Sequence, residues 1–329
     1  MAKIDQSLTT YDVVGNREAL FDTISNIDPL DTPLITLGGN RRVEQRSFDY
    51  QTEFLPAVDK TNAQLEGFTV VPQATDITTR LTNVTQISTR NATVSGSQEA
   101  ATHAGIASFM AHALANKSKA LRLDLEAITC SRQPRVDGNN TTARKTESLP
   151  HWIARAPNAA GVQGTHVVGY TTSLPTTATG AFAAVADGNK VQLTEVMFGD
   201  AMEVAFKDGA RPDTWIASAS VRRTISTFEG RVQSQITIGQ REVQATVDVL
   251  ITDFGTVKVV PSRTIDDDIS MIVDGALFDM AYFRPYFVKP LPISGDAESK
   301  MIAVEWGVAA LNPLGHILFN GIKKGDVLG

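Results

Sequence analysis

Cysteine is almost missing from this chain: Cys130 is the only one among 329 residues. That excludes an internal disulfide framework and any cysteine-based zinc site. No histidine stands near Cys130 in sequence to activate a thiol, so a small buried or interface residue is the simpler reading. Long apolar runs are missing as well, and none approaches the roughly 18–20 residues needed to span a bilayer. The opening residues, MAKIDQSLTTYDVVG, lack the apolar centre of a secretory signal. The expectation is a soluble chain made in a cytosol. A basic stripe is missing too. Lys and Arg number 30 against 36 Asp and Glu, a net charge of −6. The longest basic clusters are pairs such as Arg41-Arg42 and Lys323-Lys324, which disfavours tight nucleic-acid binding.

Catalytic signatures are equally scarce. The chain has no glycine-rich phosphate loop ending in Lys-Ser/Thr, no Gly-x-Ser-x-Gly elbow and no His pair at helical spacing with a Glu. Asp253-Phe254-Gly255 matches the magnesium-binding tripeptide of kinases, but the partner loops of that site are absent and a hairpin turn is the better reading. Asp266-Asp267-Asp268 could offer oxygens to a hard cation, but three clustered ligands without the matching glycine spacing make a solvated turn the better reading. His103, His112, His151, His166 and His316 show no metal-ligand spacing. Asn83, Asn91 and Asn140 each head an Asn-x-Thr triplet, which carries no weight without secretion. No catalytic residue, cofactor or metal is expected.

What is present is an ordered succession of elements. Hydrophobic residues make up 42% of the chain, enough for a packed core. Residues 1–44 mix short apolar stretches with breakers such as Asp28-Pro29 and Gly38-Gly39, and read as an arm with one short helix near 16–27. From 46 to 55 the period changes to two, with Phe48, Tyr50 and Phe54 on one face and Asp49, Gln51 and Glu53 on the other. A second strand-like stretch covers 77–94, and the twenty or so residues between lack periodicity. A hairpin so small cannot bury three aromatics by itself. Phe48, Tyr50 and Phe54 are therefore candidate anchors on a neighbouring chain, with Glu53, Asp59, Lys60 and Glu66 as charged contacts at the rim. Packing within their own chain is the alternative.

Ser95 and Gln98 have the spacing of a capping box, and apolar or small residues from Ala104 through Leu114, Leu121, Leu125 and Ile128 form one stripe. The prediction is a single helix over 98–131, about 50 Å long. Residues 139–189 are rich in Ala, Thr, Gly and Pro and read as a surface excursion. A helix is predicted over 194–207 with Thr194 as N-cap and Gly209 as stop. Strands are predicted at 214–218, 243–252, 256–260, 271–287, 300–311 and near 316–319, with a short helix at 220–228.

This order, an arm, a long projecting hairpin, a very long helix, then an α/β region closed by C-terminal strands, resembles the major capsid proteins of tailed bacteriophages with the Hong Kong 97 fold. Residues 8–18 (LTTYDVVGNRE), 28–33 (DPLDTP), 62–67 (NAQLEG), 85–88 (TQIS), 94–100 (VSGSQEA), 252–261 (TDFGTVKVVP) and 277–285 (LFDMAYFRP) are similar to blocks of one branch of that family. The resemblance implies an α+β protomer: arm 1–44, extended β-hairpin loop 45–95, peripheral domain with a spine helix 96–150, axial domain 151–290, and strands 291–329 returning to the peripheral domain. It implies a non-enzymatic shell protein of the virion, assembled in the host bacterial cytoplasm into hexamers and pentamers of an icosahedral head around double-stranded DNA. Implied partners are other copies of the chain, portal and decoration proteins, packaged DNA held weakly without sequence specificity, and a separate scaffolding protein or none. A tail or decoration protein, or a hydrolase using an Asp/Glu pair, are the rival readings.

Overall fold

The computed structural model describes residues 31–53, 58–69, 78–101, 105–155, 165–168, 177–180, 182–228, 249–292 and 295–324. The short helix expected near 16–27 lies outside these residues. The chain enters through α1 (Pro33–Leu37), with proline in its first turn where no N–H is needed, and runs into β1 (Gly39–Arg42). The hairpin strands β2 (Ser47–Thr52) and β3 (Thr79–Val84) pair antiparallel, Ser47 opposite Val84 and Thr52 opposite Thr79. After Thr85 the chain continues as β4 (Gln86–Ser95).

The long helix expected over 98–131 is two helices. The Ser95 hydroxyl accepts from the Gln98 N–H as expected, but α2 (Gly96–Ala100) stops after five residues. Gly105 has φ +71, a left-handed conformation that no α-helix accommodates. The second helix, α3 (Phe109–Thr129), starts afresh: Ser108 Oγ accepts from Ala111 N–H at 3.2 Å, while Glu99 takes the Met110 N–H and the Ser108 hydroxyl. A stripe of small residues had masked these local caps, and α3 is only about 31 Å long. Its buried stripe is carried by Leu121 and Leu125; Leu114 and Ile128 pack partly, and Ser118 is exposed.

Two sheets follow. β10 (Phe278–Pro290) and β11 (Ala297–Ala310) form a long antiparallel pair flanked by β1 and β4, in the order β1-β10-β11-β4. The helix α3 packs on β4, β11 and α1. The second sheet has the order β5-β12-β9-β6-β8-β7, built from β5 (Thr165–Val168), β6 (Thr214–Ala217), β7 (Val249–Thr252), β8 (Gly255–Pro261), β9 (Ile269–Val273) and β12 (Ile317–Asn320). Strand β9 is buried throughout, as a strand covered on both faces must be. Alternation divides its side chains: Met271, Val273, Ile216 and Leu318 join the core containing α3 and α4 (Leu149–Ala154). Ile272, Trp215 and Phe319 face the core under α5 (Glu195–Lys207) and α6 (Ala219–Ile225). There Trp215 stacks between Phe198, at 4.8 Å, and Phe319, at 5.4 Å. Thr194 caps α5 and Gly209, φ +83, follows it, as its sequence predicts. Asp253-Phe254 forms the turn between β7 and β8.

Strand β10 belongs to the four-stranded sheet, because its ladder partner is β11, while β12, expected among the returning strands, lies inside the six-stranded sheet between β5 and β9.

His316, at the entrance to β12, is fully buried, and its Nδ1 lies 3.3 Å from the Asp274 N–H. Burial lowers its pKa from 6.5 to about 4, so the fold holds a neutral imidazole. The unfolded chain binds the proton more tightly. Stability from this site is therefore complete above pH 6.5 and is lost as pH falls towards 4, by about 3 kcal/mol in all. His316→Gln should flatten the decline in melting temperature between pH 6.5 and 4; an unchanged slope would show that His316 does not control it.

Candidate assembly surfaces

The hairpin divides into a root fixed to its own subunit and a tip open to solvent. At the root, Phe48 and Tyr50 share one face of β2, as the period of two requires. That face meets its own chain. Phe48 is 8% exposed and packs on Ala281 and Ala309, with Tyr50 stacked at 6.4 Å. A shelf of small residues makes the room: a Cβ on Gly307 would come within 2.6 Å of the Phe48 ring. Tyr50 packs at 6.0 Å from Trp152, and burial pushes its hydroxyl well above the ordinary range. The expectation that these two aromatics lack an intrachain partner is thus corrected. Phe54 lies outside the described residues, and Glu53 is exposed.

Beside them is a buried polar lock. Asn83 is fully buried; its amide nitrogen donates to the Val308 carbonyl at 2.7 Å, and its oxygen accepts from Glu147 N–H at 3.0 Å. Thr146 Oγ1 accepts from Val308 N–H at 3.0 Å, joining the same strand to the segment ahead of α4. Glu305, 1% exposed, accepts from Arg284 Nε at 2.7 Å and from Arg144, and lies 3.1 Å from the Thr85 hydroxyl. Asn83 is visible in the sequence only as the head of an Asn-x-Thr triplet. Its position opposite Phe48 in an alternating strand was the one signal that could have marked it as inward-facing.

At the tip, polarity is reversed. Val58 is 88% exposed, Leu65 84% and Phe68 50%. Phe68 N–H donates to the Leu65 carbonyl, closing a turn whose third residue, Gly67, has φ +79 and so favours glycine. Asp59 accepts from the hydroxyl and the N–H of Thr61, which hold its carboxyl below the ordinary range. Asp59, Lys60 and Glu66 are exposed, and the apolar residues beside them are the ones that weak periodicity hid.

A groove of about 520 Å³ opens between α1, β1, α3 and β10, lined among others by Lys119, Arg122, Tyr282 and Tyr286. Its walls are fastened. Arg122 donates to the hydroxyls of Thr32 and Thr36, and buried Glu126 accepts from the N–H groups of Leu34 and Ile35 at 2.8 and 2.9 Å. Burial raises the Glu126 carboxyl and pushes the Tyr286 hydroxyl up to about 12. Elsewhere, the acidic run is tied down: Asp266 and Asp268 bind Arg132 and Asp267 binds Lys324, so these carboxylates act as cross-links between segments.

These features, a four-stranded sheet with a helix packed on it, a second sheet between two cores and an antiparallel hairpin, form a mixed α and β fold like that of known capsid structures. The fold is similar to the capsid of a native GTA particle (TM-score 0.64, 12% identity, 95% of this chain and 97% of that one). It is equally similar to the capsid of Cyanophage A-1(L) (TM-score 0.64, 10% identity, 95% and 98%). The capsid structure of Cyanophage P-SCSP1u matches at TM-score 0.61 and 10% identity over 98% of this chain and 97% of that one. The chain belongs to the SU10 major capsid protein family, whose model matches residues 7–323. A curated relative, the major capsid protein of Escherichia phage Phieco32, is 32% identical over 128 residues, which are 39% of this chain and 36% of that protein. The match thus spans about a third of the relative's length.

Asn83→Ala should leave the Val308 carbonyl and the Glu147 N–H short of a buried partner, at about 1–3 kcal/mol for each group. Urea denaturation should show a loss of about 3 kcal/mol; a loss below about 0.5 kcal/mol would mean that the lock does not hold the root.

Proposed function

We propose that this chain self-assembles into hexamers and pentamers of an icosahedral phage head around double-stranded DNA, and that the hairpin tip is its reach to a neighbouring copy. Family membership supports the shell. The observation that carries the role of the hairpin is the pairing of a root buried in its own subunit with a tip whose large apolar side chains are exposed. A monomer gains nothing from Val58, Leu65 and Phe68 in water, whereas burial of each is worth about 1.5–3 kcal/mol. Glu53, Asp59, Lys60 and Glu66 supply the charged rim of that contact.

In this reading α3 is the spine of a peripheral region formed by residues 96–150 with β10 and β11. Residues 151–273 together with β12 form the axial region, and residues 1–44 are an arm. Subunits meet through unlike surfaces that close into rings. The net charge of −6 suits a wall that touches packaged DNA without gripping it. Scaffolding, portal and decoration proteins are the further partners, and no catalytic step is assigned to the chain.

Leu65→Ser with Phe68→Ser should leave the melting temperature unchanged while abolishing shells, read by electron microscopy of particles made with the phage's own head proteins. Phe48→Ser should do the opposite to the subunit, costing about 3 kcal/mol of stability before assembly is reached. Normal shells from the double variant would remove the tip from the assembly contact.

A further inference from the structure

His151 in α4 and Glu147, one turn ahead of it, are both fully buried. Nδ1 of His151 lies 2.7 Å from Oε1 of Glu147, and Nε2 lies 2.9 Å from the Gly180 carbonyl oxygen. A carbonyl accepts and never donates, so Nε2 must carry a hydrogen. In a neutral imidazole Nδ1 is then a bare lone pair, and it faces a carboxylate oxygen. Both contacts are hydrogen bonds only if the pair holds one proton more than a neutral histidine beside an ionised glutamate. Whether that proton rides on Nδ1 or on Oε1, the count is the same.

The neighbours determine what this proton holds. The second oxygen of Glu147 accepts from Arg155 Nη1 at 3.2 Å, and the Arg155 guanidinium lies 4.1 Å over the Trp152 ring. From the hairpin root Tyr50 packs on Trp152 at 6.0 Å. The segment after α3 brings Arg132 to 5.6 Å over Phe182, with its own charge taken up by Asp266 and Asp268. Residues 177–180 and Phe182 bring no charged side chain. Phe182 meets the His151 ring edge-on at 6.3 Å, and the Arg135 N–H donates to the Ala178 carbonyl at 2.8 Å. His151 thus ties α4 to this segment at Gly180, and the Ala178 bond is the pivot beside it.

We propose that the proton shared by His151 and Glu147 is a pH-sensitive latch, which holds residues 177–182 against α4 and releases them under alkaline conditions. In the unfolded chain above about pH 6.5 the histidine is neutral and the glutamate ionised. The fold holds one proton more, so the tie is complete in mild acid and is lost as pH rises. The sign is opposite to that of His316. Once the proton leaves, the remaining ring hydrogen stays with the carboxylate, the stronger acceptor, and the Gly180 carbonyl faces a lone pair. Phe182 belongs to the same core as Trp152, so release opens one end of that core to water. The latch acts within one subunit and does not depend on how subunits meet.

The test is a nitroxide spin label on Thr179→Cys, an exposed position beside Gly180, in the full chain carrying Cys130→Ala. Its electron paramagnetic resonance spectrum should show an immobilised label at about pH 6, a mobile one at about pH 9.5, and recovery on return. Circular dichroism should stay constant, which separates release from unfolding. Glu147→Gln is the deciding variant. Its amide nitrogen supplies a permanent hydrogen to a neutral Nδ1 while its oxygen accepts from Arg155, so the label should stay immobilised up to about pH 9.5. A purely structural role for Glu147 predicts a looser label at both pH values instead. A spectrum that does not change with pH in the parent, global unfolding in place of local release, or a Glu147→Gln label that still becomes mobile would each overturn the latch. If Glu147→Gln does not fold, His151→Gln decides: its label must show no pH response, and a retained response would overturn the proposal.

Discussion

The carboxylate of Glu305 is the constraint from which the rest of this subunit can be understood. It is 1% exposed in the middle of a 14-residue strand, and it is tolerated there because Arg144, Arg284 and the Thr85 hydroxyl surround it. An uncompensated buried charge of this kind costs about 3–5 kcal/mol. Its partners come from three different parts of the chain: the bend between β3 and β4, the segment before α4, and β10. One buried ion therefore holds the base of the hairpin, the long antiparallel pair and the approach to the second core in register. Asn83 and Thr146 extend the same lock by satisfying both backbone groups of Val308. A strand pair that would be marginal by itself becomes a rigid extension of the sheet.

That rigidity gives the exposed tip its meaning. Apolar side chains on a mobile loop would lose much of their binding energy to ordering, whereas a loop whose root is locked presents them with part of that cost already met. The subunit thus inverts the usual arrangement: polar and charged groups are buried at the root, and large aliphatic and aromatic groups are exposed at the end. The groove between α3 and β10 is built in the same way, from buried tethers below and accessible tyrosines above.

Much of this architecture was legible in the sequence where local chemistry and tertiary packing agree. Thr194 and Gly209 bracket α5 because a cap and a left-handed stop act within a few residues. The succession of arm, hairpin, helix and closing strands carried the family resemblance, which the family model over residues 7–323 supports. Sequence reading went astray where small residues hid local caps and where the deciding partner is remote. The stripe of small residues suggested one helix, but Glu99, Gly105 and Ser108 start a new one. Alternation placed Phe48 and Tyr50 on one face correctly, yet nothing local announced that Gly307, Ala309 and Ala281, more than 200 positions away, form a shelf for that face. The tip went unremarked because Val58, Leu65 and Phe68 follow no helix or strand period. The pairing of β10 with β11 and of β12 with β9 was not legible for the same reason, since long-range pairing leaves no short-range pattern.

The most direct measurement of this account is amide hydrogen exchange on unassembled subunits and on finished shells. The account predicts slow exchange in both states for residues 47–52 and 79–95, where ladder bonds and the Asn83 and Glu305 lock hold the root. Residues 58–69 should exchange freely in the subunit and become protected only in the shell. Equal exchange of the tip in the two states, or a root that exchanges as fast as the tip in the free subunit, would contradict it.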